Sequence, residues 1–195
     1  MSIPATSRIG PVGARLAGAI GLLAALSLVL QGVALFKGAP VDAPPVVPLM
    51  RFFALFSMLA GVTVAIVGIA AALRPDGTGF ASHPALRGAA ALYSAVIMVA
   101  YGMVLQVPWV ASGAQLWADL GLNFLVPIVY LSWWLWCVPH GGLRILHLIA
   151  WIVPPVALLL FFAPAEFRVP ALVIAIGMLV VLVDRTLAEA PGPAR

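Results

Sequence analysis

WADLGLNFLVPIVYLSWWLWCV, residues Trp117–Val138, is the stretch from which the chain is read. A bilayer core takes about 20 consecutive apolar residues in a helix, and this run is that long. Its far end is aromatic. Near its start stand Asp119 and Asn123, four residues apart and so on one face of a regular helix. Nothing else in the sequence sets a carboxylate so plainly at membrane depth.

The surroundings repeat the pattern. Of 195 residues, 64% are hydrophobic and 8% charged, with a mean hydropathy of +1.17. A soluble domain carries roughly a quarter charged residues, so this chain cannot cover a water-facing surface. The apolar residues come in runs of helical length, which predicts an all-α, polytopic membrane helix bundle in a single domain spanning 1–195. Six transmembrane helices are expected, at about 16–36, 52–73, 88–107, 117–138, 145–162 and 169–183. Between them lie KGAPVDAPPVVP (37–48), RPDGTGFASHPALR (74–87), PWVASGAQ (108–115), PHGGLR (139–144) and APAEFR (163–168), rich in Pro, Gly and charge. The first span is too long for a signal-peptide core, and DRTLAEAPGPAR reads as a polar tail.

The net charge of +4 and pI near 10 do not point to nucleic acid. The cations are scattered singly at segment ends, where they set topology. With the amino terminus inside, Arg8, Arg15, Arg74, Arg87, Arg144, Arg185 and Arg195 fall on the inner side, and Lys37, Arg51 and Arg168 on the outer. Both termini are therefore expected in the cytoplasm. High Ala, Gly, Pro and Arg usage with little Lys suggests a GC-rich bacterial genome, hence a bacterial plasma membrane. Cys137 is the one cysteine, which excludes an internal disulfide.

This topology places the polar side chains at one depth. Ser57 in span two, Asp119 and Asn123 in span four, Tyr101 and Gln106 in span three, and Gln31 late in span one all fall in the outer half. A cluster of costly polar groups facing one interior is a candidate ligand-binding site; the plainer reading is that they hydrogen-bond between helices and fix packing. On the inner side, His140 and His147 are separated by a Gly-Gly break, and His83 is a loop residue. No third ligand stands near them, so no metal site and no cofactor are expected. Trp133, Trp134 and Trp136 read as an interfacial aromatic belt.

Asp119, Asn123, Pro127, Trp134 and Pro139, followed by Trp151 and Pro154 and preceded by RFFALFSML in span two, form a pattern of helix positions. It resembles the Pr6Pr family of bacterial six-pass membrane proteins, distantly similar to the androgen-induced membrane hydrolases of animals. The resemblance covers about 51–162. In the animal relatives it implies an intramembrane lipid-ester hydrolase with a threonine nucleophile and a histidine base. Those positions fall here on Ala54 and Asn123, and neither residue type supplies that chemistry.

The leading reading is therefore a non-catalytic integral membrane protein with a lipid- or acyl-binding cavity in the outer half, its partners being membrane lipids. One alternative is a lipid-ester hydrolase using Ser57 with Asp119. Another is a small transporter or channel subunit, against which stands the lack of repeat symmetry.

Overall fold

The computed structural model describes residues 9–36, 46–104, 113–162 and 168–189, with side chains over 9–33, 55–102, 113, 115–157 and 170–189. Among them every regular element is helical: α1 (Pro11–Phe36), α2 (Val46–Leu73), α3 (Pro84–Val104), α4 (Ala114–Leu120), a π-helical turn (Gly121–Leu125), α5 (Val126–Cys137), α6 (Ile145–Phe162) and α7 (Arg168–Glu189). A 3-10 turn, Phe80–Ser82, precedes α3. Five stretches are long and apolar enough to cross a membrane: Pro11–Val33, Leu55–Leu73, Pro84–Gly102, Gln115–Cys137 and Pro170–Glu189. The described apolar part of α6, Ile145–Ala157, is shorter.

The helix ends differ from the sequence reading in informative ways. α2 takes in Pro48 and α3 begins on Pro84. Proline's missing N–H costs nothing in a first helical turn, where those donors have no intrahelical partner. Starting α3 at Pro84 moves Arg87 out of the loop and into the helix, where it is 4% exposed. α7 continues past Val183 to Glu189, so Asp184 is a buried helical residue and not the head of a polar tail.

α1 packs most extensively on α2. The cause is a seam of small residues. A Cβ on Gly68 would stand 2.5 Å from the Ala17 carbonyl oxygen and 2.9 Å from Gly21 Cα, and one on Gly21 would stand 2.8 Å from the Ile69 nitrogen. Backbone meets backbone here, the arrangement small residues permit between helices in lipid. Larger side chains fill the centre, with Phe56, Leu92, Ile97, Leu122, Val126 and Tyr130 fully buried. The outer faces are apolar too. Leu22, Leu26 and Val29 on α1, Ile149 and Val153 on α6, and Leu182 on α7 are all more than half exposed. Helices apolar all round fit an integral membrane protein, with lipid as the solvent of those faces.

Gly68→Val is expected to lower the stability of the detergent-purified protein by about 1–3 kcal/mol, the usual cost of overpacking. Gly32→Ala, with open space around the added methyl, is expected to be neutral or slightly stabilising, as read by thermal unfolding followed by circular dichroism.

Candidate functional site

Span four is not a regular helix. Pro127 has no N–H to give, and its ring crowds the carbonyl four residues back, which belongs to Asn123. The turn before it widens: the Val126 N–H donates to the Gly121 carbonyl, five residues away. Glycine at 121 is required by packing, because a Cβ there would run into Ser27 Oγ on α1. Gly61 on α2 likewise makes room for Leu122, whose Cδ2 would lie 2.7 Å from an added Cβ. π-helical turns of this kind recur at functional positions.

The widened turn changes which neighbours the polar residues meet. Asn123, 7% exposed, accepts a hydrogen bond on Oδ1 from the Ser57 hydroxyl of α2. Asp119, one regular turn earlier, takes a different partner: Gln115 Nε2 donates to its Oδ1 at 2.6 Å and also approaches Gln31 Oε1 of α1 at 3.5 Å. Gln31 is 4% exposed. Ser27 Oγ donates within α1 to the Leu23 carbonyl at 3.0 Å. The Tyr101 ring stands edge-on to Phe124, centroids 5.6 Å apart. Gln106 and the Ala54 side chain lie outside the described residues.

The expected cluster is thus resolved into two hydrogen-bonded groups, Ser57–Asn123 between α2 and span four, and Asp119–Gln115–Gln31 between α1 and span four. Gln115 had no place in the sequence reading; its position four residues before Asp119 on one helix was the available signal. The chemistry of the first group is limited. A serine hydroxyl given to an amide oxygen has no proton acceptor, since a neutral carboxamide does not take a proton at ordinary pH.

The opposite end of the bundle holds a second polar assembly. Asp184 of α7, 2% exposed, binds the Pro139–Arg144 turn: Oδ2 accepts from the Gly141 and Leu143 amides at 3.0 and 2.9 Å, and Oδ1 faces His140 Nδ1 at 3.1 Å. His140 Nε2 faces the Leu135 carbonyl at 3.2 Å. Both ring nitrogens therefore meet acceptors, an arrangement that only the imidazolium satisfies fully. Burial by itself would push the His140 pKa down, but the Asp184 hydrogen bond and the Leu135 carbonyl outweigh it and hold the pKa above the ordinary histidine value. His83 and His147 stack edge-on with centroids 6.0 Å apart. Among the described residues no three metal-ligating side chains converge.

Aromatic tips tie this end to the rest. Tyr93 Oη donates to the Trp151 carbonyl at 2.9 Å, Tyr130 Oη to the Arg87 carbonyl at 3.0 Å, and Trp133 Nε1 to the Gly13 carbonyl at 2.8 Å. Trp133 and Trp134 are each 3% exposed, so they are interior struts; of the expected aromatic belt, only Trp136 faces outward, at 81%. The reason is that Trp133 and Trp134 fall on the face of α5 that packs inward.

Compared with protein-family models, with curated proteins and with solved structures, the chain matches none.

Because the folded state raises the His140 pKa, the stabilisation it supplies is complete below the ordinary histidine pKa, about 6.5, and is lost as pH rises through the higher folded value. His140→Ala is therefore expected to cost about 1 kcal/mol at pH 5.5 and measurably less at pH 9, as read from denaturation in matched detergent at the two pH values. Equal losses would show that the charge on the ring contributes nothing.

Proposed function

We propose that the chain is a six-pass, non-catalytic bundle of the bacterial plasma membrane, of the Pr6Pr type, with both termini cytoplasmic. In this reading α6 is the remaining pass. The outer-half polar groups around the π-helical turn hold a lipid or acyl chain rather than cleave one. The observation that carries the reading is the Ser57–Asn123 hydrogen bond. It joins Ser57, three residues after the family's nucleophile position in sequence, to a residue that stands where a base would be required, and that residue takes no proton.

The neighbouring carboxylate does not supply the missing base. Asp119 is held by Gln115 on the α1 side of span four, and the Ser57 hydroxyl is committed to Asn123. In this reading the acyl chain meets the apolar side chains that flank the two polar groups, Phe56, Leu122 and the Tyr101–Phe124 ring pair, and the two hydrogen-bonded groups offer polar atoms to its head.

Purified full-length protein is expected to remain unlabelled by a serine-reactive fluorophosphonate. It is also expected to carry an acyl lipid detectable by native mass spectrometry, with occupancy reduced in Asn123→Leu while the helical circular dichroism is retained. Wild-type labelling that disappears in Ser57→Ala would replace this reading with the lipid-ester hydrolase. Protein that neither retains nor takes up acyl lipid would remove the ligand.

A further inference from the structure

We infer that Arg87 forms a binding site for a phosphate group at the end of the bundle opposite the Ser57–Asn123 pair. The inference is independent of the acyl reading. It starts from a charge that the described chain leaves uncompensated. Arg87 is 4% exposed, and its Nε and Nη2 are buried with no hydrogen-bond partner. The sequence treats this arginine as a topology charge in a loop; in the structure it lies inside the first turn of α3. A cation there also opposes the helix dipole, which is positive at that end. A buried, unpaired guanidinium is among the most costly groups a bundle can hold, and it calls for an anion.

The described carboxylates do not provide one. Asp184 is occupied by His140, Gly141 and Leu143, and Asp119 is bound to Gln115 about fourteen helix residues away along the bundle, at the level of Tyr101. Asp76 binds Thr78 in an exposed turn, and Glu189 is exposed. Among the described residues the one ion pair is His140–Asp184.

The surroundings favour a phosphate oxyanion. Tyr130 Oη anchors the Arg87 carbonyl, which fixes the backbone from which the guanidinium projects. On the adjoining side, Trp151 and Leu143 close in on Gly88, at 2.7 and 2.9 Å from the place of a Cβ. Arg87 lies only three residues inside the span that begins at Pro84, about 5 Å along the helix axis, near the level of lipid phosphates. A planar guanidinium fork matches a phosphate with two parallel hydrogen bonds, and basic pockets between helices at that level take acidic headgroups. A lipid headgroup and free phosphate present the same chemistry.

The test uses full-length protein stripped of lipid in detergent, with thermal unfolding as the readout. Three additions are compared: phosphatidylglycerol, diacylglycerol of the same acyl chains, and inorganic phosphate. Phosphatidylglycerol is expected to raise the melting temperature of wild type where diacylglycerol does not. Arg87→Lys, which keeps the charge and loses the fork, is expected to need roughly tenfold more phospholipid for the same shift, and Arg87→Gln to show none. Should inorganic phosphate protect wild type as well as the phospholipid does, the site stands and its source is soluble phosphate. Equal responses to phosphatidylglycerol and diacylglycerol with no response to phosphate would overturn the site, and that comparison needs wild type alone if Arg87→Gln does not fold. Loss of the acyl ligand in Asn123→Leu with an intact Arg87 response would separate this site from the outer one.

Discussion

The hydrocarbon of a bilayer donates and accepts no hydrogen bonds, so a polar group carried into a helix is costly unless it finds a partner within the bundle. That single constraint accounts for most of the specific contacts. Ser57 meets Asn123, Gln115 meets Asp119, and Asp184 is shared between an imidazole and two backbone amides. Tyrosine and tryptophan tips reach across to carbonyls of other helices. With apolar side chains equally at ease inside and outside, these polar joints and the small-residue seam between α1 and α2 choose one arrangement from many.

Pro127 acts through the same constraint. By removing a donor and crowding a carbonyl it forces a wide turn, and the wide turn sends Asp119 and Asn123 to different neighbours. The two halves of the molecule then differ in character. The half around the turn carries amide and hydroxyl groups and one carboxylate, Asp119, joined by hydrogen bonds between side chains. The end around the Pro139–Arg144 turn concentrates charge: Asp184 with His140, and Arg87 alone among the described side chains. A polar clamp on the α5–α6 turn and a buried cation beside it set that end apart from the other.

Much of the architecture was legible in the sequence because it depends on composition and length. Apolar runs of membrane length, broken by Pro and Gly, overlap the described helices, whose ends fall up to six residues beyond them. The misplacements at Arg87 and Asp184 share one cause: charge was read as a sign of water. In each case the helix extends past the apolar run, and burial is decided by neighbours from distant segments. The tryptophans of α5 were misread for a similar reason, since an aromatic run says nothing about which ring faces inward.

The sequence by itself determined that the apolar runs are of membrane-crossing length and that the elements are helices. Those conclusions need only side-chain chemistry and the spacing of residues along one chain. The tertiary structure alone decided that Asp119 and Asn123 part company and that Asp184 holds a turn. It alone left Arg87 buried without a described counter-charge. Each of these depends on a meeting between residues far apart in sequence, from Ser57 with Asn123 to Leu143 with Asp184, and helix periodicity carries no information about such meetings.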